Sequence, residues 1–188
     1  VIEQFIKPAS NRRVCSETKV PNYSISQLPN PNFEGAVMAK KPTAADAHLI
    51  LKLYDLRRES EMRKARSWWL NEFWPENADD FVKVARSMGT QENNWLRQVG
   101  GYWSMAASFV LHGVLSEDLF IQPAVSGEMY LLLAKIHPFL KELREKMEDP
   151  HLFGNIEKVI SNSKFGRDRL KLTLKRVEMI RQKRKSSA

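Results

Sequence analysis

The chain has 188 residues, 43% of them apolar and 28% charged, with 30 Lys and Arg against 22 Asp and Glu for a formal charge of +8. That length and apolar content can bury a core without metals or disulfides, and they exclude a largely disordered chain. A single cysteine, Cys15, excludes an internal disulfide and a paired-thiolate zinc or redox motif, and it suits a reducing compartment.

Residues 1–37 contain Pro8, Pro21, Pro29 and Pro31 and show no helical period, which reads as an irregular arm. Met38-Ala-Lys-Lys-Pro-Thr has the form of a start of translation. The arm is accordingly expected to be an upstream extension, an engineered addition or a processed leader, docking through Phe5, Ile6, Tyr23, Ile25 and Phe33. Its first residues lack the basic start and apolar core of a secretory signal. The longest apolar stretch, residues 105–115, is about half of the ~20 residues that a membrane span needs. A cytoplasmic protein without a span is the expectation.

From Thr43 onward helix punctuation is dense. Thr43-Ala-Ala-Asp46 behind Pro42 has the form of a capping box. Leu49, Leu53, Leu56, Met62, Ala65, Trp69 and Phe73 then recur at helical spacing up to Pro75, predicting one helix of about 30 residues. Asn77 caps a short second helix with Phe81, Val84, Ala85 and Met88 on one side, stopped by Gly89. Thr90 opens a third, central helix through Leu96, Val99, Trp103, Ala106 and Val110 to Gly113. Its internal Gly100-Gly101 costs about 1 kcal/mol per glycine relative to alanine, which predicts close helix-to-helix approach there.

Ser116-Glu-Asp starts a short helix or turn ended by Pro123, and Ser126 restarts the chain through Met129, Leu132, Leu133, Ile136, Leu140 and Leu143, with a kink at Pro138. Pro150 opens a further short helix, and a last one follows Gly166 with Leu170, Leu174 and Val177 on one stripe. No run alternates with period two, so the predicted class is all-α, a bundle of five to seven helices.

The charge is unevenly placed. Residues 1–37 carry four basic and three acidic side chains, residues 38–163 carry 16 and 17, and residues 164–188 carry ten and two. Three units follow: the arm, a near-neutral bundle over 38–163, and a basic C-terminal helix and tail over 164–188. Lys164, Arg167, Arg169, Lys171, Lys175, Arg176, Arg181, Lys183, Arg184 and Lys185 are the candidate polyanion contacts, since Lys and Arg on phosphates give sequence-independent affinity. The plainer reading is a solvated tail. Lipid is the weaker partner, because the segment 181–185 lacks an apolar face.

The chemistry-bearing motifs are few. Glu148 and His151 form the one Glu-x-x-His spacing, and Pro150 lies between them; His48, His112 and His137 lack partners that would complete a ligand set. No Gly-x-Ser-x-Gly elbow or phosphate loop occurs, and no cofactor is indicated. An enzyme would need a pocket of converging polar groups near His112 or Glu148. Trp68, Trp69, Phe73 and Trp74 follow Arg57, Arg58, Arg63, Lys64 and Arg66, a pattern that single-strand binders share. Glu59 four residues before Arg63 and Asp55 three before Arg58 make a paired, solvated face the stronger reading. Trp68 lies off the apolar stripe and is the expected partner contact, together with Trp95 or Tyr102.

Asn94-Trp-Leu-Arg-Gln-Val-Gly-Gly-Tyr-Trp103, Ala107-Ser-Phe-Val-Leu-His-Gly-Val-Leu-Ser-Glu-Asp-Leu-Phe120 and Phe139-Leu-Lys-Glu-Leu-Arg144 together resemble a group of small bacterial helical proteins of unknown function. In that group one helix ends at a glycine, an acidic turn follows, and the next long helix closes with an arginine. The resemblance covers about residues 38–180 and implies a bacterial, cytoplasmic helical domain. It transfers no catalytic residue. The expected function is a non-enzymatic protein-interaction or scaffold module, through a protein partner or self-association. The alternative is a nucleic-acid or ribosome-associated protein that uses the basic C-terminal helix.

Overall fold

A computed structural model of the protein describes residues 41–186, so the arm and Cys15 lie outside the described residues. Those residues form helices without a single strand: α1 (Ala44–Leu56), α2 (Ser60–Ser67), a π-helical turn (Trp68–Glu72), α3 (Ala78–Arg86), α4 (Gln91–Leu111), α5 (Glu117–Phe120), α6 (Pro123–Ile136), a 3-10 turn (His137–Phe139), α7 (Leu140–Lys146), α8 (Gly154–Asn162) and α9 (Lys164–Ser186). The chain is an all-α bundle, as its periodicity predicts. α4 lies at its centre, against α2, α3 and α8, while α6 packs on α8 and α9.

Several predicted helices are subdivided, each for a local reason. The expected 30-residue first helix breaks at Arg57–Glu59. Glu59 leaves helical geometry and caps α2 by accepting from the Met62 amide at 2.9 Å. Arg57 turns away to the Val125 carbonyl and the Glu128 carboxylate. The predicted restart at Ser126 is a kink within α6, where Ser126 has φ −120° and ψ 17°. Pro138 interrupts the helical hydrogen bonding, and a 3-10 turn separates α6 from α7. Pro150 does not open a helix: Phe153, at φ 57°, turns the chain into α8 only at Gly154.

The predicted capping box forms. Thr43 and Asp46 satisfy each other's backbone amides, and the second carboxylate oxygen of Asp46 accepts the Ser116 amide at 2.8 Å, tying α1 to the loop before α5. Gly166 lies inside the first turn of α9 rather than before it. A Cβ there would stand 2.2 Å from the Ile160 carbonyl oxygen, so only glycine allows α9 to turn this tightly off α8.

Candidate functional site

α9 presents two different faces. Its inner face belongs to the bundle: Gly166, Thr173 and Val177 are buried, and Val177 joins Ala134 and Pro138 at the α6 end. Arg181 donates to the carbonyls of Pro75 and Lys135, both at 2.7 Å. Arg184 donates to the Asn71 carbonyl at 3.3 Å and lies 5.4 Å over the Trp74 ring, and Lys185 pairs with Glu76 at 3.1 Å. Three of the ten candidate polyanion contacts therefore fasten the end of α9 to the bundle.

The remaining cations are spent differently. Arg167 donates to the Ser161 carbonyl at 2.5 Å, and Lys171 stands 3.8 Å from Asp168. Arg169 is half-buried, and Lys183 is exposed. Lys164, Lys175 and Arg176 are exposed and make no hydrogen bond or ion pair among the described residues. Between these cations run Phe165, Leu172 and Met179, which are 45%, 51% and 55% exposed. They are seven residues apart, about two helical turns each, so they form one line along the outer face. The sequence carries this spacing too, beside the inner stripe of half-buried Leu170 and Leu174 and buried Val177.

Trp68 is not at the surface. It is only 6% exposed, stacks on Phe73 at 4.5 Å with a 17° interplanar angle, and meets Trp69 edge-on at 6.3 Å. The correction has a geometric cause. The π-helical turn widens the helix at Trp68, so two consecutive tryptophans both enter the core and a stripe drawn at 3.6 residues per turn loses its register. Trp95 is half-buried, 6.0 Å from Trp68. Tyr102 is half-buried and donates its hydroxyl to the Leu53 carbonyl at 2.9 Å, and burial pushes its phenol up to about 12. Trp68 thus links to Trp95 inside the fold, while Tyr102 secures α1 to α4.

Two polar arrangements escape sequence reasoning because their partners are distant in the chain. Glu128 is clamped by Arg57 at 3.0 Å and Arg66 at 2.8 Å, and Arg57 also lies 5.1 Å over the Trp103 ring. Lys135 is fully buried. Its ammonium donates to the carbonyls of Trp69, Leu70 and Phe73 and sits 3.8 Å over Trp74, closing the carbonyl end of the π-helical turn. Desolvation, with help from Arg184 and Arg181, lowers its pKa from 10.5 to about 7. Among the described residues no carboxylate pairs with it, and the cavity beside it holds only about 10 Å³, so its donors serve the backbone.

Among the described residues, no group of His, Cys, Asp and Glu is placed to hold a metal ion, and no helix is long and apolar enough to cross a membrane. His112 Nδ1 contacts the Ser108 carbonyl at 2.8 Å at the end of α4.

Residues 42–163 match the family model described as Domain of unknown function (DUF4760), and the chain belongs to that family. The matched segment ends one residue before α9 begins. No curated protein and no solved structure matches the chain.

Proposed function

We propose that this family member is a non-enzymatic interaction module that captures an acidic amphipathic helix of a partner protein along the outer face of α9. The observation that carries this reading is the exposed line Phe165, Leu172 and Met179. A line repeating every seven residues is the spacing at which one helix packs along another. The positions bordering it are Asp168, Lys175 and Gln182 on one side and Arg169, Arg176 and Lys183 on the other, with Lys164, Lys171 and Glu178 one row further out. In a paired-helix geometry such flanking positions choose the partner by charge, and here six basic side chains stand against Asp168 and Glu178. A second copy would set like charges against each other. A membrane surface wants a broad apolar face, whereas this one is narrow and bordered by Asp168 and Lys175.

A synthetic helix with Leu once per heptad and Glu at the flanks provides the probe, and calorimetric titration against the full chain provides the readout. Leu172→Glu should weaken binding about tenfold or more, and Arg176→Glu should weaken it severalfold while flattening its salt dependence. Both side chains are exposed, so the thermal midpoint should hold. The phosphate-binding alternative makes the contrary prediction: duplex DNA bound by the wild type, unaffected by Leu172→Glu and lost with Arg176→Glu. That pattern, with no binding of the acidic helix, would overturn the proposal.

A further inference from the structure

α3, α4 and the α7–α8 loop line a groove of about 440 Å³ that shares no lining residue with α9. Phe81, Met88, Leu96, Met147, Leu152 and Phe153 line it, and Arg97 and Ser104 supply its polar rim. Its size lies within the roughly 300–1,000 Å³ of small-molecule sites. The two glycines of α4 have different parts in it. A Cβ on Gly100 would come within 3.1 Å of the Phe153 ring, so Gly100 lets the edge of that ring approach the helix as one wall. A Cβ on Gly101 would meet nothing within 4 Å. Neither packing nor a positive φ requires glycine at position 101, yet glycine in a helix interior is unfavourable by about 1 kcal/mol relative to alanine. What its missing side chain does is keep the floor of the groove open.

The opposite wall is held by unusual backbone. Glu148 and Phe153, both non-glycine, take left-handed conformations at φ 55° and φ 57° and bracket the loop that carries Leu152. Such conformations persist where the surroundings enforce them, and they concentrate at ligand sites. Arg97, one helical turn before Gly101 on the same face, is exposed and makes no hydrogen bond or ion pair among the described residues. Met88 beside it is 71% exposed.

We infer that this groove binds a single-chain carboxylate amphiphile, its alkyl chain lying over Gly101 between Met88, Leu152 and Phe153 and its carboxylate meeting Arg97. The commitment to this ligand class follows from an apolar trough with one unpaired cation at its edge. An uncharged apolar molecule would leave Arg97 without a role, and a dianion would leave one charge unmatched. The groove lies apart from the outer face of α9, so this site and the helix-capture proposal stand or fall separately.

The probe is dodecanoate, titrated calorimetrically as a monomer below its micelle concentration against the full chain. One site per chain is expected. Gly101→Leu fills the trough while improving helix propensity, so it should fold normally by circular dichroism and weaken dodecanoate about tenfold or more. Arg97→Gln should weaken dodecanoate about tenfold and leave dodecanol binding unchanged. Absence of saturable dodecanoate binding, or binding unaltered by Gly101→Leu, would overturn the inference. Equal losses of dodecanoate and dodecanol with Arg97→Gln would refute the carboxylate assignment.

Discussion

Lys135 shows how an ammonium is kept inside this bundle without a carboxylate partner among the described residues. Three carbonyls and the face of Trp74 surround its ammonium, yet burial still favours the neutral amine and brings the pKa to about 7. The unfolded chain holds that proton up to about pH 10.5, so between about 7 and 10.5 the unfolded state binds more protons and stability rises with pH. The contribution is present at alkaline pH and lost as pH falls through about 7. Comparing denaturant midpoints of the wild type and Lys135→Met across this range should show the wild type gaining on the order of a few kcal/mol relative to the variant. A flat difference would mean that the amine is solvated. Nothing in the sequence marks this lysine, which sits in an apolar run, because its acceptors are more than 60 residues earlier. Trp68 misled the pattern in a related way: its neighbours were legible, but the π-helical turn that rotates it inward was not.

At the scale of elements, caps were the most readable signals. Thr43, Asn77 and Thr90 each accept the backbone amide three residues on, where the sequence placed them. Helix ends set by tertiary contact were less readable, since Arg57 leaves α1 for Glu128 across 71 residues. The α8–α9 corner joins the two kinds of control. Ser163 accepts the Gly166 amide at 3.0 Å, and the missing side chain at 166 admits the Ile160 carbonyl. Gly166→Ala would gain helix propensity in isolation, but here it should destabilise by about 1–3 kcal/mol as the corner opens. Thermal melting of that variant is the check, and an unchanged or raised midpoint would show that the corner relaxes freely.

For the whole molecule, the charge division that is plain in the sequence is not a division in the fold. The basic segment reads as an appendage, yet α9 covers α6 and α8 with Val177 at 2% exposure and fixes its far end through Arg181 and Arg184. Truncation after Asn162 should therefore lower stability by several kcal/mol or prevent folding, because it uncovers apolar surface worth about 25 cal/mol per Å². Proteolysis and circular dichroism of the truncated chain would decide it; a stable, cooperatively melting product would make α9 an accessory. The all-α class and the central third helix were legible from periodicity alone. The groove was not, because it depends on which glycine meets a ring and which meets open space.

The double fastening of α9 has one more result. A helix of 23 residues spans about 34 Å, and this one is clamped by the Gly166 corner at its start and by Arg181, Arg184 and Lys185 near its end. It therefore acts as a ruler already laid flat, with apolar marks about 10 Å apart at Phe165, Leu172 and Met179. Under the proposed helix capture, a visiting helix would meet graduations on a backbone that does not have to be ordered first, so the entropy lost on association would fall mainly on the visitor.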